Sequence, residues 1–470
     1  MTPLYKKNGR FNAPFSIMVI FLGLLFLMGG GARSDIQSLA ILRPISVAVL
    51  GYALWGLLWE QVKPFRVLVF FGLTIMLTVA LHLIPLPHSV WTALPGRELL
   101  TEIDRTSGLA SIWRPLSFAP SETWNAFYAL FTPLAILFLM IRLTPDQRFM
   151  LVPVIIMIGL ISGFIGLIQV ISSNVSPIYY YKITNNGSAV GMFANRNHQA
   201  VFLACLFPML AVFATTRLKT VEQARIRAAF AVGAGIFLIP LILVTGSRAG
   251  LIIALLGLSL AGWLYSTPEF TKPAKRKIQR VNMRYVAIGA LIICLVLITA
   301  LMSRAQALER LLTRDGTEEL RLSMWPAIVD MALKYFPFGS GFGTFVGTYQ
   351  IDEPLSLIDQ NYVNHAHNDW LEVLMTGGLP GLLMIGFALA AWFRVTWVLI
   401  RSRNQSMSNR AVGRLGAFIV LMLAVASIGD YPLRVPSLAA LFVLAAVWAQ
   451  SGFANAYAAA PEAVKRGGTD

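Results

Sequence analysis

A histidine-rich segment near residue 367 contains the side chains best suited to chemistry. It reads His365-Ala366-His367-Asn368-Asp369-Trp370-Leu371-Glu372. Asp369 and Glu372 have the spacing of a capping box, which predicts a short helix starting at Asp369. His367 then stands just ahead of a helix N-terminus. The partial positive charge there favours a neutral imidazole, which can take a proton from a hydroxyl.

Spacing alone leaves three interpretations of His367 open. It is a general base, a metal ligand or a structural histidine. His365 and His367, two residues apart and followed by carboxylates, resemble part of a zinc site, but a third and fourth ligand at firm spacing are missing from the sequence. The structural interpretation has slightly more support at this point, and no metal is predicted.

Two arginines are predicted at the outer edge of the membrane. Arg248 lies in a tight turn, Thr245-Gly246-Ser247-Arg248-Ala249-Gly250, and Arg196 lies in Asn195-Arg196-Asn197-His198, just before another apolar run. A guanidinium at this depth is costly unless it is paired, and a lipid phosphate would pair with it in a bidentate geometry. Snorkelling to ordinary headgroups, or pairing with a distant carboxylate, explains these arginines equally well.

Two further features precede the histidines. Leu322, Trp325, Val329, Ala332 and Phe336 recur at spacings of three and four, which predicts an amphipathic helix beginning near Arg321 and lying on the membrane interface. The run Gly339-Ser340-Gly341-Phe342-Gly343 follows. Such a run either presents backbone N–H groups to a phosphate or forms a tight turn, and the turn is the commoner role.

The elements that position these residues are transmembrane helices. Hydrophobic residues make up 57% of the 470 residues, charged residues only 13%, and the mean hydropathy is +0.68. Soluble domains have about 25% charged residues, so the long apolar runs indicate membrane spans. Cys205 and Cys294 lie inside such runs, which argues against a disulfide framework. The net charge of +16 reflects basic residues in short loops and does not indicate a nucleic-acid partner.

About twelve spans are predicted. Their approximate bounds are 14–31, 44–60, 66–85, 124–141, 149–172, 199–215, 228–245, 249–265, 285–303, 379–400, 414–429 and 434–450. Gly377-Gly378 should end the short helix that starts at Asp369, and Pro380 suits the first turn of the span that follows.

The distribution of charge predicts the topology. Most of the 38 Lys and Arg residues fall on one side when the N-terminus is placed inside, so both termini are expected in the cytoplasm. Two long outer loops remain, at about 86–123 and 304–378. The chain then divides into a membrane domain (1–303), a large, partly helical outer loop carrying the histidines (304–378), the last three spans (379–450) and a frayed tail (451–470).

These residues resemble the O-antigen ligase and polysaccharide polymerase superfamily. The ligase pattern is His, then Asn, Ser or Gln, nine residues, Gly, two residues, then Gly, Thr or Tyr; His367-Asn368, Gly378 and Gly381 fit every element. Four other segments are similar to family segments: Arg114-Pro115-Leu116-Ser117-Phe118, Gly191-Met192-Phe193-Ala194-Asn195-Arg196-Asn197, Gly246-Ser247-Arg248-Ala249-Gly250, and Trp325-Pro326-Ala327 with the Pro337–Phe345 run.

The resemblance implies a polytopic all-α fold of the GT-C type in the bacterial inner membrane, with an active site facing the periplasm. It also implies transfer of a glycan en bloc from undecaprenyl diphosphate to a hydroxyl of a lipid A-core sugar (a ligase) or of another glycan (a polymerase). His367 would be the base. Arg248 and Arg196, with Arg321 as a weaker third, would bind the diphosphate, and Asn368 would position His367 or a sugar. No metal or other cofactor is implied.

Two departures from this expectation keep alternatives open. Arg196 is flanked by asparagines and followed by His198, a variant associated at least as much with exopolysaccharide polymerases as with ligases. A transporter or a lipid-linked glycan flippase also suits about twelve helices with cationic residues. Against transport, ionisable residues are sparse in the middle of the predicted spans, and the distinctive sequence lies on one outer loop.

Overall fold

The computed structural model describes residues 12–109, 111–172, 177–265, 316–358, 363–402 and 407–459. Within these residues the regular secondary structure is helical apart from one short antiparallel ribbon, in which Pro85–Leu86 (β1) pairs with Arg114–Pro115 (β2). Eight helical segments among them are long and apolar enough to cross a membrane, and three more apolar helices are shorter. The chain is an all-α membrane protein.

The described residues up to 265 contain twelve helices: α1 (Ala13–Met28), α2 (Leu39–Leu54), α3 (Trp59–Val62), α4 (Arg66–Leu81), α5 (His88–Trp91), α6 (Glu98–Thr106), α7 (Pro120–Ala129), α8 (Phe131–Arg142), α9 (Pro145–Ile171), α10 (Arg196–Thr215), α11 (Val221–Val244) and α12 (Arg248–Leu264). After the undescribed residues 266–315 come α13 (Gly316–Lys334), α14 (Phe345–Asp352), α15 (Asp369–Arg401), α16 (Met407–Gly429) and α17 (Pro436–Ala459). Short 3-10 turns occupy Lys63–Phe65, Leu355–Leu357 and Pro432–Arg434.

Each predicted span within the described residues coincides with a helix, and the span predicted at 285–303 lies outside them. Several bounds were wrong. The helix predicted to start at Pro44 begins at Leu39, so Pro44 lies inside it. Helices α11 and α16 begin seven residues before the predicted 228 and 414, at Val221 and Met407. The span predicted at 124–141 lies within the membrane-length segment Pro120–Arg142, which α7 and α8 form together. The last helix continues to Ala459, so the predicted frayed tail is helical up to that residue.

Helix α10 lies at the centre of the bundle, where almost all of its residues are buried. Helix α12 packs directly against it, since a Cβ added at Gly250 would lie 2.3 Å from the Cβ of Ala200. Small residues allow such close helix contacts in membrane proteins. Gly250 and Ala200 both lie in the first turns of their helices, so Arg196 and Arg248, the first residues of α10 and α12, lie at the same end of the bundle.

The two predicted outer loops fold against each other at that end. The backbone N–H of Phe118 donates to the carbonyl of Ser340 at 2.9 Å, and the Thr123 hydroxyl donates to the carbonyl of Phe342 at 2.7 Å. The N–H of Phe342 also donates a hydrogen bond to Nδ1 of His82, just after α4, at 3.3 Å. The glycine-rich run 339–343 is therefore held between the start of α7 and the end of α4.

The conformation of this run favours the turn interpretation. Gly339, Gly341 and Gly343 have φ values of 75°, 110° and 85°, in the left-handed region that glycine adopts without a steric penalty. The N–H of Gly339 donates to the carbonyl of Tyr335 at 2.8 Å, and that of Gly341 donates to the carbonyl of Thr376 at 2.9 Å. Because these donors are used inside the protein, the run serves as a turn between α13 and α14 that packs against α15.

The amphipathic helix predicted near Arg321 is present as α13, and the face that it buries in the protein is a second apolar stripe. Met324, Ile328, Met331 and Tyr335 are buried and pack in one cluster with α14 and α15. Of the predicted stripe, Ala332 is buried and Trp325 is partly buried, whereas Leu322 (61%), Val329 (39%) and Phe336 (40%) are exposed. The segment carries two apolar stripes at helical spacing, so periodicity alone could not select the one that meets the protein.

Helix α15 is broken at Gly378, as Gly377-Gly378 predicted. Gly378 has φ 55° and ψ −140°, a conformation open essentially to glycine alone. The break turns the chain toward the 337–339 segment, where the N–H of Leu379 donates to the carbonyl of Pro337 at 2.7 Å. The first part of α15, which begins beside His367, is thereby set at an angle to the long apolar part.

Substituting Gly378 with alanine is expected to destabilise the protein by at least about 2 kcal/mol, because the backbone is strained for any L side chain. The added Cβ would also lie 2.2 Å from the carbonyl oxygen of Pro337. The measurement is the melting temperature of the detergent-solubilised protein. Gly386→Ala in the same helix is the matched control, since a Cβ there meets no atom within 4 Å. Equal melting temperatures of the two variants would contradict the assignment.

Candidate active site

His367 stands immediately before the residue that caps α15. Its φ is +49°, an unusual value for a residue with a side chain. The side-chain oxygen of Asn368 accepts hydrogen bonds from the N–H groups of Trp370 at 3.0 Å and Leu371 at 3.2 Å. The helix begins at Asp369 as predicted, but Asn368 is the capping residue. Asn368 thus fixes the backbone that presents His367.

The capping box predicted for Asp369 and Glu372 does not form, because both carboxylates have other partners. Glu372 lies 3.1 Å from Nδ1 of His365 and 3.2 Å from Nη1 of Arg434. Asp369 lies 3.3 Å from Nε of the same arginine. Arg434, from the turn between α16 and α17, compensates two buried carboxylates at the start of α15 and so secures the segment that bears His367.

Asp430 contacts side chains from two other parts of the chain at this site. Its Oδ1 lies 3.4 Å from Nδ1 of His367 and 3.7 Å from Nε2 of His198. Its Oδ2 accepts a hydrogen bond from the side-chain amide of Asn197 at 2.8 Å. Asp430 follows α16, His367 precedes α15, and Asn197 and His198 begin α10, so one buried carboxylate connects three helices.

The surroundings of Asp430 keep it ionised. Burial alone would raise the pKa of Asp430, but the charges and hydrogen-bonding groups of His198, and then of His367, hold it well below its ordinary value. An ionised carboxylate facing Nδ1 of His367 favours the tautomer that carries its proton on Nδ1. In that tautomer Nε2 is the basic nitrogen.

An aromatic ring separates the three histidines. The ring centroid of Tyr431 lies 4.3 Å from that of His365, 4.9 Å from that of His367 and 5.1 Å from that of His198. The His198 side chain is only 2% exposed, whereas that of His367 is 14% exposed. His367 is therefore the more accessible of the two histidines beside Asp430.

The sequence-predicted arginines lie at the same end of the bundle. Arg196 directly precedes Asn197 and His198, and Arg248 begins the neighbouring helix α12, which Ser247 caps through the N–H of Gly250 at 2.9 Å. The N-termini of α10 and α15 meet at Asp430, and α12 packs on α10. Helix N-termini and guanidinium groups both favour anions, so this end of the bundle suits a phosphate group.

Arg321 lies on α13, but its side chain is outside the described residues. The described part of the chain contains no group of three or more His, Cys, Asp or Glu side chains arranged to hold a metal ion.

Sequence reasoning missed Asp430 and Tyr431 and gave Asn197 and His198 no role. The available signal was Asp430 itself, an acidic residue in the Gly429-Asp430-Tyr431-Pro432 turn between two apolar helices. An ionisable residue at a membrane edge is a candidate functional residue. Nothing in the local sequence, however, indicated that this turn meets the segment at 365–368.

A comparison with family models found a match. Residues 233–386, about a third of the chain, match a family model described as O-antigen ligase. The resemblance to the O-antigen ligase superfamily is confirmed. The O-antigen ligase match includes Arg248, Arg321, His367 and Asn368, and it leaves Arg196, His198 and Asp430 outside. A search of curated proteins found no match to this chain.

Proposed function

We propose that this protein is a membrane glycosyltransferase that moves a glycan en bloc from undecaprenyl diphosphate to an acceptor hydroxyl. The observation that supports it most is the pairing of His367 with the buried carboxylate of Asp430, at the end of the bundle where Arg196 and Arg248 begin their helices. A base beside an anion-binding surface is the combination that displacement of a diphosphate requires.

The proposed reaction is a single displacement. The acceptor oxygen attacks the anomeric carbon and its proton passes to Nε2 of His367. The bond between the anomeric carbon and the diphosphate oxygen breaks, and its electron pair leaves with undecaprenyl diphosphate. The configuration at the anomeric carbon is inverted. Asp430 holds the ring of His367 and stabilises the imidazolium that forms.

Arg248 and Arg196 are assigned to the donor diphosphate, with Arg321 as a third candidate, and Asn368 to the positioning of His367. Diphosphate is already a good leaving group, so the protein chiefly has to hold its charge and orient the acceptor. We place the site on the periplasmic face of the inner membrane, with both termini in the cytoplasm, as the distribution of basic residues predicts.

Arg248→Lys is expected to weaken donor binding about 10- to 100-fold, because lysine keeps the charge but loses the bidentate fork. Arg248→Glu should abolish binding, since it places a carboxylate against the diphosphate. The measurement is the dissociation constant of the lipid-linked donor in nanodiscs. Arg105→Lys is the matched control, because Arg105 is exposed and pairs with Glu102. Unchanged donor affinity in both Arg248 variants would refute this assignment.

The acceptor decides between a ligase and a polymerase, and a deletion strain of the source bacterium tests this choice. For a ligase, lipid A-core loses its polymer while lipid-linked polymer accumulates. For a polymerase, single repeat units accumulate. An unchanged glycan profile on both carriers would overturn the proposed function.

A further inference from the structure

The carboxylate that supports His367 is shared with a second histidine that no part of the proposed reaction uses. Both His367 Nδ1 and His198 Nε2 approach the same oxygen of Asp430, at 3.4 Å and 3.7 Å. The proposed reaction needs one histidine on that carboxylate. The second one is 2% exposed, and within the described residues its ring nitrogens form no hydrogen bond of good geometry.

We infer that His198 is a positioning residue that sets the basicity of His367 through their shared carboxylate, Asp430. This inference rests on the proposed function. A proton on Nε2 of His198, 3.7 Å from Oδ1, offsets part of the negative charge of the carboxylate electrostatically, without a hydrogen bond of good geometry. Asp430 then stabilises the protonated form of His367 less, so His367 stays neutral, and active as a base, to lower pH.

The other charged groups around the two rings do not replace this effect. Arg434 is opposed by Asp369 and Glu372, and Glu372 also faces His365. That group lies beyond the ring of Tyr431, which packs edge-on against both His198 and His367. On its own helix, His198 is two residues from Arg196, whose charge remains in every variant considered below. The direct contacts of Asp430 are therefore the main local control on His367.

Geometry also explains why His198 acts through Asp430 and does not itself reach substrate. It lies on α10, the most buried helix of the bundle, behind Asp430 and Tyr431. Its neighbour Asn197 holds the other oxygen of the carboxylate at 2.8 Å. The oxygen that faces His367 also faces His198 and accepts a hydrogen bond from the backbone N–H of Tyr431 at 3.0 Å, a donor that no side-chain substitution removes.

The test is the pH dependence of the glycan transfer rate in purified His198→Leu and His198→Ala protein. Both variants remove the polar ring of His198 beside Oδ1, while the hydrogen bonds from Asn197 and the Tyr431 N–H remain, so the proton affinity of His367 should rise. The midpoint on the acid side of the pH–rate profile should therefore rise by about one pH unit. Well below that midpoint, the rate relative to its maximum should be about tenfold lower than in wild-type protein. His198→Gln retains an N–H donor and should restore the wild-type limb. His88→Leu, at a histidine outside the site, is the control.

An acid limb that stays in place in both His198→Leu and His198→Ala, or a loss of rate equal at all pH values, would overturn this inference. Because alanine adds no bulk, His198→Ala still gives a pH profile if the leucine side chain disturbs folding. The melting temperature shows which variants are folded. Failure of the proposed function looks different, because wild-type protein would then transfer no glycan at any pH.

Discussion

Replacing His367 with alanine is expected to lower the rate of glycan transfer by about 10²–10⁴-fold, the usual contribution of a positioned general base. Donor binding should be nearly unchanged, because the diphosphate is assigned to the arginines. The measurement is the initial rate of the purified protein with lipid-linked donor and acceptor at saturating concentrations of both.

The matched control is His88→Ala, a histidine that begins α5 in the other outer loop, away from Asp430. It should retain the wild-type rate. A His367→Ala protein with full activity would show that the catalytic assignment is wrong. A loss of donor affinity as large as the loss of rate would show instead that His367 binds the substrate and does not act as the base.

Asp430→Asn is expected to reduce the same rate on the order of 10²–10⁴-fold, although Asp430 touches no substrate in the proposed reaction. An amide has nearly the shape of the carboxylate, but it stabilises neither the required tautomer nor the imidazolium. The reduction should appear in kcat, with donor affinity preserved. A variant that keeps the wild-type kcat would contradict the role given to the pair of Asp430 and His367.

The lowered pKa of Asp430 gives a second readout for the same variant. A carboxyl whose pKa is lower in the folded than in the unfolded state stabilises the fold fully above its unfolded pKa, about 4. That contribution is lost as the pH falls through the folded-state pKa. Melting temperatures of wild-type protein should therefore fall more steeply below pH 4 than those of Asp430→Asn.

Local signals in the sequence predicted much of the backbone structure around His367. The start of α15 at Asp369 and its break at Gly378 follow from backbone properties of a few neighbouring residues, which sequence displays directly. The identity of the cap was wrong because Asn368, Asp369 and Glu372 all suit a helix start, and Arg434, distant in sequence, decides which carboxylates are occupied elsewhere.

Long-range contacts explain what the sequence did not predict. Asp430 is separated from His367 by a transmembrane helix pair and from His198 by about half of the chain. Its role depends on tertiary packing that no local pattern encodes. Tertiary packing also determines the buried face of α13, because only one of its two apolar stripes meets α14 and α15.

The most direct test of this account measures donor and product together in one reaction. Purified wild-type protein, undecaprenyl diphosphate-linked glycan and an acceptor are incubated, and free undecaprenyl diphosphate and glycosylated acceptor are quantified over time. The account predicts that the two products appear in equal amounts and that neither forms at an appreciable rate with His367→Ala. An intact donor, as a flippase would leave it, or equal product formation by the His367→Ala protein, would contradict it.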